Sequence, residues 1–179
     1  MLKIVHAPHP ILSQKTKPVK KIDNKIKKLI EEMKKTLLAQ KDPPGVGLAA
    51  NQVGVDLSLF IMKPTKKSPI SVFINPKILK TVFEKEKSSK KKRKAVKLEG
   101  CLSVPKIWGS VQRPTKVLLE YQTLDGSFEK KQSWFSGFEA IIIEHEVDHL
   151  NGLLFTQRAL EQKQPLYEEK NDELKRIDD

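Results

Sequence analysis

Residues 144–152 read EHEVDHLNG and contain two of the chain's four histidines, His145 and His149, four positions apart. Residues four apart lie on one face of an α-helix, about one turn from each other, so two imidazoles can bind one cation. Glu146 directly follows the first histidine, which suits a carboxylate that transfers protons for a metal-bound water without binding the metal. The alternative is a pair of core histidines whose spacing has no chemical role.

A helix must position this motif, and the flanking sequence predicts one. The segment 136–139, Ser-Gly-Phe-Glu, has the S-x-x-E form of a capping box, and Gly152 stands where the helix would end. Apolar residues recur at helical spacing on the face of the two histidines: Phe138, Ile141, Ile142 and Leu150. We therefore expect both histidines to point into the protein.

The third ligand separates the possible classes of protein, because catalytic zinc-type sites usually take three protein ligands. A metzincin protease would place its next ligand at position 155, which is Phe155, so this class is excluded. A thermolysin-like protease would use a downstream glutamate, and three remain open: Glu161, Glu168 and Glu169. The other candidate is Cys101, which follows a glycine and precedes a proline by four residues, in a segment that can turn closely around an ion.

Composition indicates one soluble domain. The chain has 179 residues, of which 38% are hydrophobic and 31% charged, and this length is enough to bury a substantial core. Its single cysteine excludes an internal disulfide and fits a reducing compartment. No apolar run approaches the length of a membrane helix, and the first residues show no signal core, so we expect a cytoplasmic protein without membrane contact.

The charge is strongly positive, at +12, and residues 85–97 carry eight Lys/Arg against one acid without any apolar periodicity. Such a segment is typical of a solvated loop. An excess of positive charge favours loose attraction to nucleic acid or another polyanion. A lysine-rich surface that serves solubility explains the same composition.

The remaining patterns predict an α+β fold, with strands around the central metal-binding helix and helices towards both termini. Asp23 precedes an amphipathic helix over residues 24–37, and the charged segment 158–179 is predicted as a C-terminal tail helix. Asp125-Gly126 favours a tight hairpin turn. The predicted strands cover 57–62, 70–75, 78–84, 111–122 and 127–134. The sequence has no internal repeat and no clear linker, so 1–179 is predicted to be a single domain.

Three motifs occur in an order and separation that resemble one family: GVGLAANQ at 45–52, EGCLSVP at 99–105 and HEVDH at 145–149. This combination resembles peptide deformylase, and the similarity runs from LKIVHAPHPIL near the start to HLNGLLF near residue 155. The resemblance implies the α+β fold of that family. It also implies an enzyme that removes the formyl group from the initiator methionine of new bacterial polypeptides.

The same resemblance implies a metal ligand set of Cys101, His145 and His149 holding one Fe(II) ion. One thiolate with two imidazoles also accepts Zn(II), Co(II) or Ni(II), so the ligands alone do not choose the metal. Glu146 is implied as a general base that becomes a general acid. The Gln52 amide and the Leu102 backbone N–H could donate to the formyl oxygen.

Substrate contacts are also implied by the resemblance. The backbone around Val46, Gly47, Glu99 and Gly100 is expected to bind an extended peptide in strand-like fashion. On the metal-binding helix, Phe138, Ile141 and Ile142 are expected to line a slot for the methionine side chain, with core packing as the equal alternative. The expected partners are N-formylmethionyl nascent peptides, and no DNA is expected.

Two features depart from the family. The family usually has glutamine before the first metal-binding histidine, whereas this chain has Glu144, whose carboxylate could perturb the site or face away in an ion pair. The basic segment 85–97 is longer than in compact members and suggests transient ribosome contact, or only a solvated insertion. Asp148 is expected to act as a structural partner, for example of Arg113, and not as a ligand.

Two competing hypotheses remain on sequence alone. One is a metalloprotease of another lineage that shares the two-histidine motif and cuts internal peptide bonds. The other is a catalytically impaired basic protein that keeps a structural metal and binds RNA or ribosomes.

Overall fold

The structure is a computed structural model that describes residues 1–41, 44–83, 98–124 and 128–177. Its helices are α1 (Asn24–Ala39), α2 (Phe138–Leu150) and α3 (Phe155–Glu161), with short 3₁₀ helices at Pro10–Ser13 and Ala50–Val53. Its strands are β1 (Gly47–Ala49), β2 (Leu59–Met62), β3 (Ser71–Val82), β4 (Glu99–Cys101), β5 (Val104–Gly109), β6 (Lys116–Gln122), β7 (Lys131–Ser136), β8 (Leu166–Lys170) and β9 (Glu173–Ile177).

The strands form two antiparallel sheets. The larger has the order β1-β2-β3-β6-β7, and the smaller has the order β4-β5-β8-β9. This architecture of helices and antiparallel sheets confirms the predicted α+β class. The two predicted metal-binding motifs lie on different parts of it, because α2 packs on the larger sheet whereas β4 belongs to the smaller one.

The core has two layers that meet at β2. Leu59 and Ile61 face the cluster formed with α1, while Phe60 and Met62 face the cluster formed with α2. Successive side chains of a strand point to opposite faces, so a strand covered on both faces reads as an uninterrupted apolar run. All four residues of β2 are buried, which explains why the sequence there is continuous and not alternating.

The first helix confirms the sequence prediction. Its apolar stripe, Ile26, Ile30, Met33 and Leu37, is buried against the larger sheet. Asp23 is the N-cap, and its Oδ1 accepts hydrogen bonds from the backbone N–H groups of Lys25 and Ile26, each at 3.0 Å. An N-cap carboxylate satisfies donors that have no partner within the helix, so the helix begins where the sequence predicts.

The predicted strands 70–75 and 78–84 are not separate, because the chain passes through both in the single strand β3. Asn75 takes a left-handed conformation with φ of 49°, and the pairing with β6 shifts register between Ile74 and Lys77. The Asn75 side chain exchanges hydrogen bonds with both the N–H and the C=O of Val19, at 2.8 Å each. This bulge lets the strand continue past Pro76, where proline cannot donate to the ladder.

The charged segment 158–179 is not a tail helix. Only its first residues belong to a helix, α3, and residues 166–177 form the β8–β9 hairpin. Helix α3 ends at Glu161, Lys163 follows in the left-handed conformation with φ of 54°, and after Pro165 the strand β8 pairs with β5 in the smaller sheet. Asn171 and Asp172, with φ of 53° and 62°, supply the two left-handed residues typical of a tight hairpin turn. Tertiary pairing therefore overrides the helical preference of this Glu/Lys-rich sequence.

Two other boundaries differ from the predictions. The capping box before α2 is wrong: Ser136 ends β7, and Gly137, with φ of 59° and ψ of −129°, is the N-cap without a side-chain hydrogen bond. Gly152, with φ of 75°, does follow the helix end as predicted. Strand β6 begins at Lys116, later than predicted because Pro114 precedes it, and β7 covers Lys131–Ser136.

The basic segment 85–97 and the predicted turn at Asp125-Gly126 lie outside the described residues. Within the described ranges, none of the helices combines the length and the apolar character that crossing a membrane requires.

Candidate active site

Three side chains from two elements converge beside α2. His145 and His149 lie on α2, and Cys101 is the last residue of β4. Their candidate ligand atoms all lie within 4.8 Å of one another, and Cys101 Sγ is 3.1 Å from His149 Nε2. Glutamates 161, 168 and 169, which the sequence left open, do not belong to this group, the only such group found in the parts of the chain that the structure describes. The geometry therefore favours Cys101 as the third ligand.

The electrostatics of the cluster favour a thiolate. Burial alone would raise the pKa of Cys101, but the neighbouring His149 and His145 imidazoles outweigh burial and lower the pKa well below that of a free thiol. Burial alone would lower the pKa of His145, whereas its contacts with Cys101 and Glu99 raise the pKa well above its ordinary value. The sulfur of Cys101 therefore carries negative charge, and this thiolate is the form of cysteine that binds cations.

The His145 ring is oriented by two other residues. His145 Nδ1 lies 3.1 Å from Glu99 Oε2, which leaves its Nε2 for the cluster. The ring also stacks on Phe155, with centroids 6.0 Å apart and an interplanar angle of 25°. Phe155, at the position where a metzincin would have a metal ligand, thus packs against the His145 ring. A carboxylate behind a ligating histidine fixes the ring tautomer and orientation.

Glu99 belongs to a buried chain of charges behind the cluster. Arg113 Nε and Nη2 donate to the two Glu99 carboxylate oxygens at 2.9 and 3.0 Å, and Arg113 Nη1 donates to Asp148 Oδ2 at 2.6 Å. Arg158 Nη2 donates to Asp148 Oδ1 at 2.8 Å. The structure thus confirms the expectation that Asp148 is a structural partner of Arg113. Burial alone would lower the pKa of Arg113, but both carboxylates raise it, so the guanidinium stays charged.

Glu144 joins this chain of charges and not the metal cluster. Its Oε2 lies 3.8 Å from Arg113 Nη1, which agrees with the expectation of an ion pair. Burial raises the pKa of its carboxyl group. Glu144 also lines a cavity of about 470 Å³ together with Lys15, Lys77 and Arg158, and this lining includes none of the three cluster residues.

Glu146 lies on α2 directly after His145, and its side chain is buried. It is 3% exposed, and its Oε2 has no hydrogen-bond partner among the described residues. Burial raises the pKa of Glu146 to about 7, although the nearby histidines act in the opposite direction. A side chain on Gly47 would overlap the Glu146 carboxylate, so β1 approaches the glutamate as closely as only glycine allows. A carboxylate with this environment can accept and release a proton near neutral pH.

Gln52 is buried, and its amide orientation is set from both ends. Its Oε1 accepts from the Ala49 N–H at 2.9 Å, while its Nε2 lies 3.2 Å from Ser103 Oγ and 3.5 Å from Cys101 Sγ. The donor end of the amide is therefore aimed at the cluster. Leu102 follows Cys101 directly and packs partly against the first core cluster.

The predicted substrate-binding backbone lies on two strands, with Gly47 on β1 and both Glu99 and Gly100 on β4. Val46 immediately precedes β1 and packs partly against the second core cluster. A side chain on Gly100 would lie 2.8 Å from the Trp108 ring, so the indole covers this part of β4. Trp108 Nε1 in turn donates to Glu169 Oε2 on β8, at 2.7 Å.

The three apolar residues of α2 have different environments. Ile142 is 3% exposed and belongs to the second core cluster, whereas Phe138 is 53% exposed. Ile141 between them is half-buried. The sequence left a substrate slot and core packing as equal alternatives for these three residues. Ile142 packs in the core, whereas Phe138 and Ile141 keep exposed surface that a substrate can contact.

Several residues of the site were not assigned a role from the sequence, although Asn51 and Ser103 lie within two of the quoted motifs. Ser103 accepts from Gln52, Trp108 covers Gly100, and Asn51 donates through Nδ2 to the His149 carbonyl oxygen at 2.5 Å. Arg113 was expected only as an example of a partner for Asp148. The partners of Asn51 and Ser103 lie 98 and 51 residues away in the sequence, so spacing along the chain could not indicate those contacts.

The cluster fits a single divalent cation. A thiolate and two imidazole nitrogens form a donor set suited to first-row transition metals. Two further buried atoms beside them have no hydrogen-bond partner among the described residues, Glu146 Oε2 and His149 Nδ1. Together with a helix that supplies both histidines and a buried glutamate, this arrangement defines a metal-binding hydrolase of the H-E-x-x-H class.

Comparison with known proteins narrows that class. The family model for polypeptide deformylase matches residues 1–165, and the chain belongs to this family. A peptide deformylase of Novosphingobium aromaticivorans is 38% identical over 175 residues, covering 85% of each chain. The crystal structure of peptide deformylase from Thermotoga maritima matches with a TM-score of 0.75 and 36% identity, covering 88% of this chain and 97% of that one.

A Met-Ala-Ser-bound crystal structure of the class I type b peptide deformylase from Acinetobacter baumannii is also similar. It matches with a TM-score of 0.73 and 34% identity, covering 88% of this chain and 98% of that one. Family membership at this level establishes the activity: the chain is a hydrolase that removes the N-formyl group from newly made polypeptides.

Proposed function

We propose that Cys101, His145 and His149 hold one Fe(II) ion and that Glu146 transfers the protons of formyl-group hydrolysis. The observation that carries this assignment is the convergence of the three ligand atoms within 4.8 Å, beside a buried glutamate oxygen without a partner. Iron is chosen because the resemblance to the family implies it, and Zn(II), Ni(II) or Co(II) suit the same ligands. When bound, a divalent ion supplies Lewis-acid chemistry that acidifies water and polarises a carbonyl oxygen.

Glu146 performs both proton transfers in this proposal. Its carboxylate takes a proton from the water that attacks the formyl carbon, and the new C–O bond gives a tetrahedral intermediate. When the C–N bond breaks, Glu146 gives the proton to the leaving amine nitrogen, so the products are formate and a free amino terminus. A pKa near neutrality suits a group that must act as base and then as acid.

Gln52 and Leu102 stabilise the negative charge that forms on the formyl oxygen. The Gln52 amide is suited to this role because Ala49 and Ser103 already fix which end faces the cluster. The Leu102 backbone N–H is the second proposed donor. Preorganised donors of this kind are each worth about 3 kcal/mol in the transition state when well placed.

The peptide part of the substrate is proposed to lie as an extended strand between β1 and β4. Val46 and Gly47 supply backbone on one side, and Glu99 and Gly100 supply it on the other. The methionine side chain would contact Phe138 and Ile141, with the buried Ile142 supporting them from behind. Met-Ala-Ser bound to the Acinetobacter baumannii relative supports a methionine peptide as ligand.

The test combines a formate-release assay on an N-formyl-Met peptide with metal analysis of the same anaerobically purified sample. We expect formate release with about one metal per chain, and no cleavage of an unblocked peptide of the same sequence. Internal cleavage of the unblocked peptide would favour a protease of another lineage. Metal binding without any hydrolysis would favour an impaired relative.

Cys101→Ser tests the third ligand. A hydroxyl is harder and far less readily ionised than a thiol, so we expect weaker metal binding and a changed metal spectrum. Loss of an outer partner of a ligand already costs about 10–100-fold in affinity, and loss of a ligand is expected to exceed that. Competition with a chelator measures the affinity, and Ser103→Ala, which removes a neighbouring hydroxyl outside the ligand group, is the control for metal affinity alone, because Ser103 also orients Gln52. Unchanged metal content and activity in Cys101→Ser would remove Cys101 from the site.

We further propose that the basic segment 85–97 makes transient contact with the ribosome. Nascent chains emerge from a surface rich in phosphate, and a segment with eight Lys/Arg against one acid is attracted to it by long-range forces and counterion release. Because the substrate is the nascent chain, we place the protein in the cytoplasm. We also propose that residues 1–179 form one catalytic domain.

Replacing 90–94 with Gly/Ser tests the ribosome proposal. Turnover of a short formyl-Met peptide should not change, while ribosome binding should weaken and depend less steeply on salt, by about 0.9 in log–log slope for each lost phosphate contact. A control removes five exposed lysines elsewhere by substitution with glutamine: Lys20, Lys21, Lys25, Lys27 and Lys28. Equal binding of wild type and the 90–94 variant at low and physiological salt would show that the segment is only a solvated insertion.

A further inference from the structure

Asn51 is a buried polar residue whose side-chain amide nitrogen is hydrogen-bonded while its amide oxygen is not. It lies in the short helix Ala50–Val53, next to Gln52, and is 0% exposed. Its Nδ2 donates to the backbone carbonyl oxygen of His149 at 2.5 Å, which ties this short helix to the end of α2. Its Oδ1 has no hydrogen-bond partner among the described residues. A buried amide oxygen without a donor is unfavourable, so its presence requires an explanation.

His149 also has a buried polar atom without a hydrogen-bond partner, and this atom is a nitrogen of its ring. Its Nε2 faces Cys101 Sγ at 3.1 Å, while its Nδ1 is buried and has no partner among the described residues. A neutral imidazole that offers the Nε2 lone pair to a cation carries its proton on Nδ1. Nδ1 is then a donor that needs an acceptor. His145 has the same need, and there Glu99 Oε2 supplies the acceptor at 3.1 Å.

We propose that Asn51 is the positioning residue for His149, with one bound water bridging the His149 Nδ1–H to Asn51 Oδ1, since the structure shows no direct hydrogen bond between these two buried atoms. The Asn51 carboxamide then contacts His149 at two points. Its Nδ2 donates to the His149 backbone carbonyl oxygen, and its Oδ1 holds the His149 ring through the bound water. The ring tautomer and ring plane are fixed by this pair of contacts. The inference rests on the proposed role of His149 as a metal ligand, because only then must the proton be on Nδ1.

The pairing explains why an amide, and not an apolar side chain, occupies this fully buried position. An isosteric leucine would leave the His149 carbonyl without the Asn51 donor and the ring N–H without an acceptor. Histidine ligands generally donate their second nitrogen to such a partner, and loss of the partner typically costs about 10–100-fold in metal affinity. Asn51 would therefore do for His149 what Glu99 does for His145, without adding a charge.

The test uses the Zn(II)-loaded protein with ¹⁵N-labelled histidine. We expect the Nδ1–H proton of His149 to be visible by NMR and protected from exchange in wild type. In Asn51→Leu this protection should be lost, and Zn(II) should transfer to a chelator about 10–100-fold more readily. Asn51→Asp keeps an acceptor, although it replaces the Nδ2 donor by an oxygen and adds a negative charge, so it should retain the protected proton and release Zn(II) more slowly than Asn51→Leu.

Asn75→Gly is the matched control, because Asn75 also ties two segments through its side chain but lies outside the metal cluster. It should lower the melting temperature without changing Zn(II) transfer. A merely structural role for Asn51 would give that same pattern in Asn51→Leu and would overturn the proposal. If Asn51→Leu does not fold, two other results would overturn the proposal. One is an unprotected Nδ1–H proton in the wild-type protein. The other is release of Zn(II) from Asn51→Asp about 10–100-fold more readily than from wild type. Failure of wild type to bind Zn(II) through His149 would refute the proposed metal site itself.

Discussion

Glu146→Gln is expected to keep its full complement of metal and to lose nearly all formate release, by about 10²–10⁴-fold or more. The substitution leaves Cys101, His145 and His149 in place, and the amide has nearly the shape of the carboxylate. An amide cannot take a proton from water or return it to the amine. The rate of formate release and the metal content should be measured on the same preparation, so that lost chemistry is separated from lost metal.

Glu144→Gln is the matched control for this result, since it makes the same chemical change two residues away. Glu144 contacts Arg113 and lines a separate cavity, so we expect the reaction to be unchanged and its pH profile to shift only modestly. Substantial turnover by Glu146→Gln would disprove the proton-transfer role. A gain from inactive to active in Glu144→Gln would mean that the wild-type chain is a degenerate member of its family.

Arg113→Met is expected to cause the largest loss of stability, about 3–5 kcal/mol in the free energy of unfolding. The Arg113 side chain is 4% exposed and lies between Glu99 and Asp148, whose side chains are 12% and 9% exposed. Removing the cation leaves two carboxylates buried without it. Urea denaturation monitored by circular dichroism measures the loss, and metal affinity should fall as well because Glu99 would no longer be held against His145.

Arg158→Gln provides the comparison, because Arg158 contacts the same Asp148 carboxylate from a more exposed position. Its side chain is 37% exposed, and ion pairs at such positions contribute about 0–1 kcal/mol. A small effect in Arg158→Gln beside a large one in Arg113→Met would assign the stability to burial and not to the number of ion pairs. Equal effects of the two substitutions would contradict the argument.

The sequence predicted the part of the site that is local along the chain. The i, i+4 spacing and the apolar periodicity placed His145, Glu146 and His149 on one helix, and helical geometry alone puts the two histidines on the same face. Cys101 is different, since it reaches the histidines only through the packing of two sheets. Spacing left it as one of several candidates, and only the resemblance to a known family selected it.

The wrong predictions share one physical cause. The segment 166–177 is rich in Glu, Lys and Leu, which favour helix, yet it pairs as two strands because β5 offers an open edge and Asn171-Asp172 forms the turn. Asn75 likewise continues β3 where the sequence suggested a break. Arg113 is one of 34 basic residues, and only the fold shows that it is the buried one between two carboxylates. Each of these outcomes depends on partners that are distant in sequence.

The position of the β8–β9 hairpin has a consequence for how the enzyme is made. Translation proceeds from the amino terminus, so the strand that carries Cys101 and the helix that carries both histidines leave the ribosome before the hairpin does. Until residues 166–170 emerge, β5 is paired on one edge only, with β4, and Trp108 lacks the Glu169 carboxylate that accepts from its ring N–H. The growing chain thus has the three side chains proposed to bind metal before Glu169 is present to hold Trp108, which covers Gly100 on the strand that bears Cys101. Maturation of this enzyme is therefore expected to be post-translational, even though the reaction it performs begins on chains that are still being synthesised.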